Sequence, residues 1–273
     1  MKTFLVTQDT TLKDFTDSVY PQGSFCFSAL LKAKDIKVNG VRAGKNTAVK
    51  RGDEVVYYTT KKQEEKPSHV VVYEDENIYI ADKQSGVSSE GLYSELSSRG
   101  EFYAVHRLDR NTQGLIVYAK TKSAEDELLK AFKQKSVQKT YIVLCKNAFK
   151  QKSATLCAYL TKDEKRGLVK IFAAPQKGAE KIITEYCVEE EKGDIAFVRI
   201  RLHTGRTHQI RAHFAFIGCP VLGDEKYGDK VLNAKYSARR QRLISKQLQF
   251  NFNGSLSYLN NKIFESSFGF DKQ

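Results

Sequence analysis

Two stretches of this chain gather the side chains that chemistry needs. In AVHRLDRNTQGLIVYAKT, residues 104–121, one carboxylate, Asp109, stands between Arg107 and Arg110 and just before a Thr-Gln-Gly turn. Cations beside a carboxylate favour its charged form. An ionised carboxylate suits a nucleophile or an electrostatic stabiliser better than a general acid, and on residue types alone a loop salt bridge fits equally well. In RLHTGRTHQIRAHFAFIGCPVLGDEKYG, residues 201–228, Arg206 follows a glycine where a strand gives way to a helix, a position that presents a guanidinium into a cleft. The same stretch holds His203, His208 and His213. On a helix the last two, five positions apart, diverge by about 140°. They do not share a face as paired metal-ligating histidines do, so no metal site is expected and structural hydrogen bonding is the better reading.

The order His-Arg-Leu-Asp also invites comparison with a kinase catalytic loop. That loop needs Asp directly after Arg, an Asn further on and a glycine-rich phosphate loop. None of these is present.

Elements that could hold the two stretches are legible around them. Leu12, Phe15 and Val19 recur at helical spacing. Asn39-Gly40 marks a hairpin turn after IKV, and Arg51-Gly52-Asp53 turns the chain into the strand EVVYY. The polar run TTKKQEEKPS, residues 59–68, reads as a linker ending beyond Pro67. Beyond it, VVVYEDENIYIADK suggests two strands joined by a turn from Glu74 to Asn77, and LIVYAK and TYIVLC suggest two more. Between the latter, Ser123 is placed to cap a helix with Asp126 three residues on and Leu128, Leu129 and Phe132 on its apolar stripe. In IAFVRIRLH, Ala196, Val198, Ile200 and Leu202 alternate with Arg199, Arg201 and His203. A helix then carries Ile210, Phe214 and Ile217 and stops at Gly218 before Pro220. Strands that follow one another through hairpins or single helices argue for an α+β fold rather than a doubly wound parallel sheet.

The chain has 273 residues, with 45 Lys and Arg against 32 Asp and Glu, a formal net charge of +13. Its length fits one large domain or two ordinary ones. The excess is concentrated: residues 110–152 hold ten basic and three acidic side chains, and residues 199–242 hold ten and three again. Concentrated positive charge favours a polyanion, because neutralised phosphates release condensed counterions. No basic amphipathic helix long enough for a membrane surface accompanies it. No apolar run approaches a transmembrane span, and MKTFLVTQDTT lacks the apolar core of a signal peptide. The five cysteines are widely spaced and form no CxxC, which argues against a disulfide framework or a zinc ribbon. A cytoplasmic protein without a membrane partner, monomeric, is expected.

HRLDRNTQG resembles the HRLD-x-x-TSG signature of the RluA-type pseudouridine synthases, and TGRTHQIRAHFAFIGCPVLGDEKYG resembles their second signature. DKQSG, residues 82–86, resembles the family's NKPAG turn, and KTY, residues 139–141, its Lys-x-Tyr strand. The segment DIKVNGVRAGKNTAVKRGDEVVYY resembles half of a small S-four-like RNA-binding domain that often precedes this catalytic domain. The resemblance implies an S-four-like RNA-binding domain over residues 1–62, a linker over 63–68 and a pseudouridine synthase domain over 69–273. The implied fold is a mixed, mainly antiparallel bent sheet with flanking helices and a catalytic cleft, preceded by a small α/β module.

By the same resemblance Asp109 is the essential aspartate, Arg206 the arginine that pairs with it, and Tyr141 the tyrosine that packs on the target uracil. Arg107 matches the arginine that inserts where the base departs. His106, Arg110, Lys83 and Arg211 are expected to contact RNA. The implied activity is isomerisation of uridine within structured RNA, ribosomal RNA first and transfer RNA second, by base flipping, with no metal, nucleotide or organic cofactor. Three places depart from the pattern: Gln84 stands for a proline, Gln113 for a serine, and Ser88-Ser89-Glu90 for a His-Pro-Gly-like run. A non-catalytic RNA-binding or ribosome-assembly factor that keeps the fold is the alternative.

Overall fold

A computed structural model describes residues 1–163 and 167–270. The N-terminal part contains β1 (Lys2–Leu5), β2 (Thr10–Thr11), α1 (Leu12–Val19), α2 (Pro21–Ala33), β3 (Ile36–Val38), β4 (Val41–Arg42), β5 (Ala48–Val49) and β6 (Glu54–Tyr57). A four-stranded antiparallel sheet runs β1-β6-β3-β4, and β2 pairs with β5. Asn39 and Gly40 both have positive φ in the tight turn between β3 and β4, as a two-residue hairpin of this twist requires. Leu12, Phe15, Phe27, Ile36 and Val55 close a core belonging to this part alone. The segment expected as a plain linker instead carries the short helix α3 (Lys61–Glu64). Thr60 and Gln63 form a reciprocal capping box that satisfies its first N–H groups.

The remainder is built on β7 (His69–Glu74), β8 (Ile78–Lys83), α4 (Ser89–Ser97), β9 (Tyr103–Ala104), β10 (Gln113–Ala119), α5 (Lys122–Lys133), β11 (Val137–Lys146), β12 (Ser153–Asp163), β13 (Leu168–Phe172), β14 (Glu180–Lys192), β15 (Ile195–Leu202), α6 (Gln209–Phe216), α7 (Lys230–Lys235), β16 (Leu243–Phe250) and β17 (Ile263–Glu265). One large sheet runs β13-β12-β14-β15-β11-β16-β10-β8-β7, with β9 and β17 attached beside it. Its pairings are antiparallel except for the parallel contact of β10 with β16. The α+β expectation therefore holds.

The middle of the sheet is covered on both faces. On one, Leu92 and Leu96 of α4 and Ile210 and Phe214 of α6 pack with Val143, Val198 and Ile200. On the other, Ala124, Leu128 and Ala131 of α5 pack with Leu115, Val117, Leu248 and Phe264. The cap of α5 is Thr121, which accepts from Ala124 N–H, and not Ser123. Leu129, assigned to the apolar stripe from sequence, is exposed. Gly114 holds the centre together. Its φ is +106°, and a Cβ there would collide with the backbone of Ser245 on β16. Only glycine lets the two strands approach at this point.

Candidate active site

Asp109 lies in the loop between β9 and β10, and both of its neighbours are tied down. Leu108 donates its N–H to Ser89 Oγ at 2.9 Å and accepts from the same hydroxyl at 2.8 Å. The carbonyl of Arg110 accepts from Gly86 N–H at 2.9 Å and from Lys83 Nζ at 3.1 Å. Thr112 N–H donates to the carbonyl of Asp109 at 3.0 Å. The loop is thereby a fixed platform rather than a surface excursion.

Across the cleft, α6 begins at an unusual turn. His208 has φ +54°, a conformation few side chains adopt. Gln209 pins it: its Oε1 accepts from Arg206 N–H and Thr204 Oγ, and its Nε2 donates to Ile183 O and Thr184 Oγ. This start fixes which face of α6 looks inward, and Arg211 occupies it. Arg211 Nη1 donates to Asp109 Oδ2 at 2.8 Å, while its Nε and Nη2 donate to both oxygens of Asp224 at 2.6 and 3.0 Å. Tyr227 closes the fork from above, its ring centre 5.3 Å from the guanidinium. Burial pulls the guanidinium down, yet the two carboxylates more than offset this and hold it firmly protonated. Asp224 is fully enclosed. Burial alone would raise its carboxyl, but Arg211 and the N–H groups of Tyr227 and Lys226 keep it below the ordinary carboxylate value.

Arg206 does not pair with Asp109. It sits on the exposed rim with its Nη2 3.1 Å from Glu180. The residue that holds the aspartate is Arg211, which the sequence assigned to RNA contact; the left-handed turn at His208 sends Arg206 outward and Arg211 inward.

Tyr141 lies on β11, directly beyond a register shift against β16. Burial raises its phenol to about 12, so it stays protonated. Its ring lines the same cleft as Asp109, His106, Arg107, Arg206 and Arg211, a cavity of about 640 Å³. That volume falls within the roughly 300–1,000 Å³ of small-ligand pockets, room enough for one nucleotide.

The other expected contacts divide. Arg107 is exposed at the rim, paired with Glu90 at 3.2 Å. His106 Nε2 accepts from Val117 N–H at 3.0 Å, its ring stacks on Phe132, and burial lowers it to about 3, so it is a neutral structural group in the wall. Arg110 turns away from the cleft toward Asp17 of α1, at 2.9 Å. Lys83 is fully buried and donates to the carbonyls of Gln84, Val87 and Arg110. It cannot touch RNA and acts as a brace, because β8 is covered on both faces. Gln84, in place of the family's proline, donates its N–H to Ser68 O at 2.9 Å, a bond proline cannot make.

The three histidines of residues 201–228 each have their own partner: His203 with Glu185, His208 with Tyr227 and His213 with Thr184. Asp224, His208 and Gln209 were missed as site residues from sequence, although all three lie inside the second signature. Lys133, Lys135, Lys139 and Arg201 also line the cleft and have no carboxylate partner among the described residues. Burial lowers Lys139. Four cations and a cavity of this volume around a fixed carboxylate suit a flipped nucleotide and its phosphates.

The sequence model of RNA pseudouridylate synthases matches residues 64–216. An uncharacterized RNA pseudouridine synthase of Aquifex aeolicus is 32% identical, over 82% of this chain and 78% of that protein. The ribosomal large subunit pseudouridine synthase C of Escherichia coli is 30% identical, over 74% of this chain and 70% of that protein. Among solved structures, human RNA pseudouridylate synthase domain containing 1 superposes with a TM-score of 0.60 at 25% identity, covering 68% of this chain and 79% of the human one. Among the described residues no helix is long and apolar enough to cross a membrane.

Proposed function

Because this chain belongs to the RNA pseudouridylate synthase family and is an enzyme that isomerises uridine in RNA, we propose that its substrate is structured ribosomal RNA and that Asp109 is the carboxylate acting on the ribose. The target base leaves its stack at a cost of a few kcal/mol and enters the cleft beside Tyr141. The bond from C1′ to N1 breaks with its electron pair on N1, the uracil turns within the cleft and C1′ joins C5. The proton on C5 passes to water and N1 takes up a proton from water, so the product is an isomer of the substrate. Stacking on an aromatic ring, worth about 1–3 kcal/mol per base, retains the detached uracil while it turns. Tyr141 supplies that ring.

Arg211 orients Asp109 and neutralises it in part, while Asp224 fixes Arg211 from behind. Arg107 enters the space the base vacates, and Lys133, Lys135, Lys139, Arg201 and Arg206 take phosphates along the rim. Residues 1–62 act as an RNA-binding module, 63–68 connect it and 69–273 carry catalysis. The observation that carries this reading is the Arg211–Asp109 contact inside a cleft lined by cations, four of which have no carboxylate partner among the described residues. The curated relative from Escherichia coli, whose name gives the ribosomal large subunit, supports the choice of ribosomal RNA.

The test is a map of pseudouridine in all RNA from a strain lacking this chain, and from the same strain with it restored. A ribosomal site that disappears and returns supports the reading. A site lost only from transfer RNA would refute the ribosomal assignment, and no lost site would favour the non-catalytic alternative.

A further inference from the structure

Ser88, one of the residues that depart from the family pattern, lies where the N-terminal module meets the Asp109 loop. Ser88 Oγ accepts from Gly91 N–H at 2.9 Å as the cap of α4, and it also donates to the carbonyl of Asp17 in α1. Gly91 faces the same carbonyl: a Cβ there would stand 2.5 Å from Asp17 O. At Gly91 helix α1 thus rests directly on the backbone of α4, with the Ser88 hydroxyl beside the contact. The Asp17 carboxylate reaches onward into the catalytic half. Its Oδ2 accepts from Arg110 Nη1 at 2.9 Å, and Lys13, one turn earlier in α1, holds its other oxygen. The Asp17 side chain is 12% exposed and that of Arg110 37%, so the pair is half withdrawn from water.

Arg110 adjoins Asp109. Its carbonyl is fixed by Lys83 and Gly86, and Leu108 on the other side is fixed by Ser89. Those restraints all come from the catalytic part. The restraint on the Arg110 side chain comes from the N-terminal module.

We propose that Asp17 is a positioning residue for the isomerisation: through Arg110 it fixes the peptide that carries Asp109, so the N-terminal module contributes to turnover as well as to RNA affinity. This rests on the assignment of Asp109 under the proposed function. Without Asp17, Arg110 is released toward solvent and the 109–110 peptide loses its outer restraint. A displacement of about 1 Å in a reacting group costs on the order of a hundredfold in rate.

The experiment uses the full chain and measures two quantities on one substrate RNA: the single-turnover rate of pseudouridine formation at saturating protein, and the Kd. Asp17→Asn removes the charge. Gly91→Ala leaves every charge in place and wedges α1 off α4. Both are expected to lower the saturated rate by about ten- to a hundredfold with Kd unchanged. Asp17→Glu is expected to restore most of the rate, and Asp17→Asn combined with Arg110→Gln to be no slower than Arg110→Gln alone. A saturated rate at the wild-type value in Asp17→Asn, a loss confined to Kd, or additive losses in the double variant would overturn the proposal. If Asp17→Asn shows no cooperative melting transition, Arg110→Gln decides, since its changed atoms lie at the half-exposed end of the pair; a wild-type rate there also overturns it. A wild-type protein that forms no pseudouridine would instead remove the assignment of Asp109 on which the proposal stands.

Discussion

Arg211 Nη1 stands 2.8 Å from Asp109 Oδ2 while the rest of the same guanidinium is bound to Asp224. The carboxylate proposed to act on the ribose therefore takes its position from a second carboxylate, through one cation. Removing that cation leaves Asp224 enclosed and unpaired, a change that costs about 3–5 kcal/mol. Arg211→Gln is accordingly expected to lower the urea midpoint sharply and to reduce turnover at saturation by at least about a hundredfold. Arg206→Gln, at the rim against Glu180, is expected to keep both midpoint and turnover and to weaken RNA binding with a shallower salt dependence. Denaturation curves and single-turnover rates of the two variants, run side by side, check this.

Tyr141 offers the cleft an aromatic face and a phenol that stays protonated. A ring that retains a detached base matters after the glycosidic bond has broken, so Tyr141→Ala should hurt turnover more than RNA affinity. Tyr141→Phe keeps the ring and should retain most of the rate. Single-turnover rates and Kd values measured on one RNA separate the outcomes, and a loss confined to Kd in Tyr141→Ala would rule the stacking role out.

Four histidines make stability depend on acid, and burial lowers His69 among them. Burial lowers His106 to about 3 and His208 and His213 to about 4, whereas in an unfolded chain they titrate near 6.5. As pH falls below about 6.5 the unfolded chain takes up protons that the folded chain refuses, so stability declines. The slope reaches about 1.4 kcal/mol per pH unit for each ring, and the loss is complete once pH has passed below the folded values. Above neutrality these groups contribute no pH dependence. Melting midpoints between pH 4 and 8 should fall toward acid, and His213→Gln should flatten the fall.

The strands were legible where period and burial agree. Ala196, Val198 and Ile200 alternate in sequence and are buried on one face of β15, and Gly218, with φ +82°, ends α6 as its place before Pro220 suggested. Caps were less so, because Thr121 and Ser123 are both able to accept the same kind of N–H, and the backbone chose the first. Lys83 misled because its charge suggests the surface, whereas β8 lies between two cores and the carbonyls of Gln84, Val87 and Arg110, all outside β8, partner the amine. The exchange of Arg206 and Arg211 had no local signal. It depends on where α6 starts, and that is set by Gln209 reaching Ile183 and Thr184 on β14, contacts distant in the chain.

Asp109, held by Arg211, is proposed to perform the isomerisation. The most direct measurement of this role is pseudouridine formed in RNA from the deletion strain by purified wild-type protein and by Asp109→Asn, a substitution that keeps the shape of the side chain and removes its charge. Conversion is expected from the wild type and none above background from Asp109→Asn, with RNA still bound. Conversion by Asp109→Asn at the wild-type rate would contradict it.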